Sequence, residues 1–243
     1  MTAETPTILA TSGGVRPGQH TALEFSPLTE LAVELADVTG RAPRICFLAT
    51  ALGDSESVLL RLYAAAQAAG CQPSHLQLFP MPNVASPAEQ LLAADVIWVM
   101  GGSVAGLLAM WELHGLAAPL RQAWESGVVL TGVSAGSICW HVGGTTDSFG
   151  PELRPVDNGL AFLPFANGVH YDSEERRRPL FQRLIAEGTL PAGYATDDGA
   201  GLLYRGTEGA APEAVSEKDG AYGYFVERGT DGAIETVLDT RRL

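Results

Sequence analysis

VVLTGVSAGSICW, residues 128–140, is an apolar run that ends in small residues around one hydroxyl. The β-formers Val128, Val129, Leu130 and Thr131 predict a buried strand, and a small-residue helical pattern follows Gly136. Ser134, between Gly132 and Gly136, therefore falls on a strand-to-helix corner. Gly132-Val133-Ser134-Ala135-Gly136 fits G-x-S-x-G, the pattern of a nucleophile elbow in that context. Such a turn holds its serine in a strained backbone, and bulky neighbours clash there. It lifts the hydroxyl above the sheet edge and aims the Ala135 amide at the same point, where an oxyanion develops. Ser134 is thus a candidate nucleophile; the plain alternative is a serine that caps the helix.

Outward from this corner, strands and helices alternate through the front half. Strands are expected at Thr7–Thr11, Arg44–Ala49, His75–Phe79 and Asp95–Met100. Helices are expected at Pro27–Val38, with Ser26 as N-cap, at Ser57–Ala69, after the capping box Ser86-Pro87-Ala88-Glu89, and at Gly115–Glu125. Repeated βαβ units give an α/β fold, a mostly parallel sheet with helices on both faces in three layers. In such sheets ligands sit beyond the carboxyl ends of the strands. The loops after Thr11, at Gly101-Gly102 and at Ser134 therefore share one rim. The back half is less regular. Residues 147–168 are rich in Pro, Gly and Asn, and a helix is expected over Pro179–Glu187. Gly201–Arg205, Ala221–Val226 and Ile234–Leu238 read as a terminal β-meander. No repeat or linker divides the chain, so a single domain over 1–243 is expected.

Composition narrows the function. With 243 residues and 46% hydrophobic content, the chain can bury a core without disulfide or metal staples. A formal net charge of -13 argues against nucleic acid or an anionic membrane as partner. The three cysteines, Cys46, Cys71 and Cys139, stand singly and form neither a disulfide framework nor a metal motif. No signal peptide and no 18-residue apolar run is visible, so a cytoplasmic protein is expected.

A serine nucleophile needs a base, and the base an orienting acid. Of five histidines, His75 and His114 lie in regular segments, and His141 follows Ser134 on the same helix. His20 is on a rim loop, and His170 lies in the loop ANGVHYDSEE. The candidate acids are Asp147, Asp157, Asp172, Glu174, Asp197 and Asp198. Gly101-Gly102 at a strand end lets backbone amides approach a ligand and supply a second oxyanion donor. The absence of G-x-G-x-x-G and of a Walker lysine argues against a nucleotide site.

Several stretches together resemble the peptidase E (aspartyl dipeptidase) family, whose wider group includes cyanophycinase. They are VMGGSVAGLLAMWELHGL (99–116), TGVSAGSICW (131–140), GTTDS (144–148), ANGVHYDSEERRRP (166–179) and TDDGAGLLY (196–204). The resemblance implies a class I glutamine-amidotransferase-like α/β fold and a serine peptidase acting on short peptides, with no metal or organic cofactor. It matches Ser134 to the nucleophile, His170 to the base, Gly102 and Ala135 to the oxyanion hole, and Asp147 to an accessory acid. Asp198 stands where aspartyl dipeptidase has a glutamate. That enzyme's Gly-Gly-Gly-Asn-Thr loop is here Met100-Gly101-Gly102-Ser103-Val104, which puts strict N-terminal-Asp specificity in question. The run Glu174-Glu175-Arg176-Arg177-Arg178 offers guanidinium groups to a substrate carboxylate, although most of a charged helix start is ordinarily solvated. An esterase or cyanophycinase-like hydrolase and a non-catalytic small-molecule binding module stay open. A glutamine amidotransferase would need a cysteine at the elbow. The expected partner is a small peptide, with the chain as monomer or homodimer.

Overall fold

A computed structural model describes residues 3–243. The strands are β1 (Thr7–Thr11), β2 (Val15–Pro17), β3 (Leu23–Phe25), β4 (Arg44–Leu48), β5 (Gln72–His75), β6 (Val96–Val99), β7 (Val129–Val133) and β8 (Gly143–Thr146). They continue as β9 (Arg154–Val156), β10 (Ala166–Gly168), β11 (Gly193–Thr196), β12 (Ala200–Arg205), β13 (Glu213–Ser216), β14 (Gly223–Arg228), β15 (Ala233–Val237) and β16 (Thr240–Arg242). The helices are α1 (Pro27–Leu35), α2 (Glu56–Ala68), α3 (Pro87–Leu92), α4 (Val104–Leu113), α5 (Ala117–Glu125), α6 (Ala135–Ile138) and α7 (Arg177–Ala186).

The main sheet has the order β16-β13-β12-β1-β7-β6-β4-β5, and from β1 to β5 all neighbours are parallel. The apolar strands of the sequence divide their side chains between its two faces with period two. Ile8, Ala10, Cys46, Leu48, Ile97, Val99 and Leu130 face Leu107 and Trp111 of α4 and Leu120 and Trp124 of α5. Leu9, Ile45, Phe47, Val96, Trp98 and Val129 face Leu28 and Ala32 of α1 and Leu59 and Leu62 of α2. Both faces are thus covered, as the βαβ pattern predicts. Each fully buried Leu or Ile side chain contributes about 1.5–3 kcal/mol. The ends of the parallel strands are aligned: Thr11 is level with Val133, and Val99 with Gly132. That register puts the three predicted loops on one rim.

The structure corrects several local expectations. Gly201–Arg205, Ala221–Val226 and Ile234–Leu238 do not form one meander. β12 joins the main sheet beside β1, whereas β14 and β15 belong to a second sheet of order β15-β14-β11-β10-β8-β9. The chain changes sheets between β11 and β12, at Asp197-Asp198-Gly199, where Gly199 has φ +81°. The irregular stretch 147–168 contains β9 and β10. The predicted strand His75–Phe79 is shifted to Gln72–His75. Beyond it, the Leu78 and Phe79 amides turn to the Asp54 carboxylate instead of a neighbouring strand. Ser26 precedes α1 without capping it, because its hydroxyl bonds Glu217 Oε2 at 2.5 Å. Among the described residues no helix is long and apolar enough to cross a membrane.

Candidate active site

β7 ends one residue before Ser134, which has φ +56° and ψ −110° and begins α6. A non-glycine residue at positive φ is strained and persists only where its surroundings fix it. The fixing bonds are Ser134 N–H to the Thr11 carbonyl at 3.0 Å, and Ser137 and Ile138 N–H to the Ser134 carbonyl at 2.8 and 2.9 Å. The Ser134 hydroxyl makes no capping bond, so helix capping does not explain the residue. The glycines answer to close packing. A Cβ on Gly136 would lie 2.2 Å from the Val99 carbonyl oxygen, and one on Gly132 would lie 2.6 Å from both the Val99 and Gly136 oxygens. These contacts are to backbone, which cannot rotate away. Gly136→Ala is therefore expected to destabilise the protein by about 3 kcal/mol, read as a lower urea midpoint.

Ser134 opens into a cavity of about 350 Å³ lined by Gly102, Ser103, Asp147, Ser148, Glu174 and Arg177. Gly102 has φ +136°, and a Cβ there would lie 2.5 Å from the Ala51 carbonyl oxygen. Its N–H and that of Ala135 are donors to no backbone carbonyl among the described residues. Ser103 caps α4 by accepting the Gly106 N–H at 3.1 Å.

His170 follows β10, also at positive φ (+53°). Its Nδ1 lies 2.5 Å from Asp198 Oδ1. Among the described residues Ser134 and His170 share no direct hydrogen bond; both are bonded to the Thr11-Ser12 segment, Ser134 through Thr11 and His170 through Ser12. Three of the six candidate acids, Asp147, Asp197 and Asp198, are separated by geometry. Asp198 meets the imidazole. Asp197 is buried and turned away, with its Oδ2 accepting from Tyr222 N–H and Tyr224 O–H. Asp147 lines the cavity, 62% exposed. Burial pushes the Asp198 carboxyl up. Hydrogen bonds from His170 and Ser173 and the charges of His170 and Lys218 outweigh it and hold the group below its ordinary value.

Of the charged run 174–178, Glu174 and Arg177 face this cavity. Arg177 is nearly fully buried and already engaged. Nε and Nη2 reach Glu174 at 2.7 and 3.2 Å, Nη1 donates to the Thr145 carbonyl at 2.8 Å, and Nη2 lies 4.0 Å from Asp147. Arg178 turns elsewhere, pairing with Glu235 over the rings of Tyr171 and Tyr224. The burial of Arg177 gave no sequence signal beyond membership of the run. Two other histidines are engaged elsewhere. His141 is fully buried between the Ser137 carbonyl and Tyr204 O–H, and burial lowers it to about 4. His75 bonds Tyr63 O–H at 2.7 Å. Cys139 is buried, its thiol raised well above the ordinary value by burial, so it supplies no thiolate here.

Comparison with known proteins identifies the family. The sequence pattern of Peptidase family S51 matches residues 8–211. Over 184 residues the chain is 45% identical to the uncharacterized peptidase YgaJ of Bacillus subtilis (strain 168), covering 76% of this chain and 78% of that one. It is 27% identical over 140 residues to peptidase E of Shewanella denitrificans, covering 54% and 59%. A peptidase from an acI-B1 Actinobacterium superposes with TM-score 0.66 at 16% identity, over 97% of this chain and 95% of the other. A structure described as a peptidase E protein from Listeria monocytogenes EGD-e gives TM-score 0.58 at 16% identity, over 97% and 100%. At that identity the structures speak for the fold alone; the sequence matches carry the family, and this chain belongs to Peptidase family S51.

Proposed function

We propose that this peptidase is a serine enzyme that hydrolyses short peptides, dipeptides foremost, through Ser134, His170 and Asp198. The observation that carries the reading is the strained, uncapped Ser134 facing a cavity on the same rim as the short His170–Asp198 bond. Ser134 Oγ attacks the scissile carbonyl while His170 Nε2 takes its proton. The Gly102 and Ala135 amides hold the oxyanion. As the C–N bond breaks, His170 returns the proton to the leaving amine, leaving an acyl ester on Ser134. Water, deprotonated by His170, then attacks the ester and releases the acid. Asp198 holds the Nδ1–H tautomer and offsets the imidazolium charge.

Labelling by a serine-directed phosphonate together with a dipeptide panel tests this. Stoichiometric label on Ser134 and dipeptide turnover are expected. Label without dipeptide turnover would favour an esterase or a cyanophycinase-like enzyme for β-linked peptides. Absence of both would favour the binding module.

The panel carries a further expectation. Arg177 is neutralised by Glu174, and Asp147 leaves the cavity net negative, while no asparagine stands in the 100–104 loop. A substrate carboxylate meets like charge there, costing about 1–3 kcal/mol at effective dielectric constants near 20. Dipeptides with a neutral first residue are therefore expected to exceed Asp-X in kcat/KM by about tenfold or more. An Asp-X preference would mean that Arg177 is released by substrate.

A further inference from the structure

We propose that Ser12, a residue with no assigned role, is a positioning residue that holds His170 and the Asp198 loop in register with Ser134; this rests on the serine-peptidase reading above. Ser12 directly follows β1 and is 3% exposed. Its neighbour Thr11 accepts the Ser134 N–H at 3.0 Å. The Ser12 carbonyl accepts the Gly199 N–H at 2.9 Å, one residue after Asp198, and the Ser12 N–H donates to the Ala200 carbonyl at 2.9 Å. Its hydroxyl accepts the His170 N–H at 3.2 Å. The Thr11-Ser12 dipeptide thus bonds to the elbow, to the histidine and to the turn that bears the acid, which come from three separate loops.

The hydroxyl is suited to its place. It has one proton and two lone pairs. The proton goes to Thr196, whose Oγ1 lies 2.7 Å away and whose carbonyl lies 3.3 Å away. A lone pair is left for His170. The Thr196 carbonyl in turn accepts the Tyr171 N–H at 3.1 Å, so the backbone on both sides of the His170 α-carbon is tied down. His170 needs such ties, because φ +53° is sparsely populated for a residue other than glycine. Freed of them, the backbone relaxes toward common conformations and carries the imidazole off the line between Ser134 and Asp198. Ser12 does not line the cavity, so substrate contacts are left in place.

The test compares Ser12→Ala with Thr196→Val, which deletes the same Ser12–Thr196 hydroxyl bond but leaves the acceptor for His170. Both are assayed for kcat, KM and Tm on the best dipeptide. For Ser12→Ala, kcat is expected to fall about 10- to 100-fold with KM within about threefold, the signature of a displaced catalytic group. For Thr196→Val, a similar loss in Tm is expected with kcat within about threefold of wild type. Equal kcat in the two variants, or an active and folded Ser12→Ala with wild-type kcat, overturns the proposal. Should Ser12→Ala not fold, Ser12→Cys, close in size with a poorer acceptor, carries the same comparison and the same expected fall. A wild-type protein that neither cleaves peptides nor takes the phosphonate overturns the parent reading, and this proposal with it.

Discussion

Ser134→Ala is expected to lower kcat by about 10⁴- to 10⁶-fold while the protein stays folded, the scale on which serine hydrolases lose activity with their nucleophile. Stability is expected to move by no more than about 0.5 kcal/mol. The two expectations come from the same geometry. The Ser134 backbone is held by bonds through its own N–H and carbonyl, which alanine keeps. Its hydroxyl contributes no cap to α6, which alanine therefore does not weaken. The strain at φ +56° is common to both residues, since each carries a Cβ. In the proposed mechanism the hydroxyl, which opens into the adjoining cavity, is the attacking group. Parallel measurement of turnover and of the urea midpoint checks this. A folded Ser134→Ala with wild-type turnover would remove Ser134 from the mechanism. A large loss of stability would instead make it a structural corner residue.

The corner was readable because its sequence pattern is local, although one of the contacts behind it is not. A strand of β-formers, a hydroxyl and glycines at fixed spacing leave few alternatives, and the close approach of Gly132 and Gly136 to the Val99 and Gly136 carbonyls is the physical reason for that spacing. The parallel strands β1, β4, β6 and β7 were equally legible, since strands covered on both faces are apolar throughout. What the sequence could not show was non-local. β12 and β14 are both short and apolar; their assignment to different sheets depends on partners far along the chain, β1 for one and β11 for the other. Ser26 looked like a cap because local patterns cannot reveal Glu217, 191 residues away. In the same way Asp197 and Asp198 are adjacent acids before a glycine, equivalent on paper. The turn after β11 sends one carboxylate inward to Tyr222 and Tyr224 and the other toward His170. Arg177 and Ser12 were similarly hidden: neither a charge run nor a serine after a strand marks which member will be buried against a functional loop.

That divergence of neighbouring acids gives the second large expectation. Asp198→Asn is expected to lower kcat by about 10²- to 10⁴-fold, with KM changed little. The amide preserves the volume and one oxygen, but it removes the charge that faces the imidazolium. It also presents an N–H₂ that favours the tautomer with the proton on the wrong nitrogen. In the native protein the His170 hydrogen bond, with help from Ser173 and Lys218, holds the Asp198 carboxyl below its ordinary value despite burial. The sign of the pH effect follows. A depressed carboxylate stabilises the fold above its unfolded-state value, and that contribution is lost as pH falls through the folded-state value. Asp198→Asn should therefore flatten the acid side of the stability profile as well as lower turnover. The matched controls are Asp197→Asn and Asp147→Asn. Asp197 accepts from Tyr222 and Tyr224 through Oδ2, which an amide oxygen can replace, and it does not touch His170. Asp147 lies 4.0 Å from Arg177 on the open side of the cavity, where charge affects binding before chemistry. Both controls are expected to keep kcat within about tenfold of wild type. If Asp147→Asn fell as far as Asp198→Asn, the cavity acid would be part of the chemical step; if Asp198→Asn alone kept full turnover, His170 would have to be oriented by its backbone ties without a carboxylate.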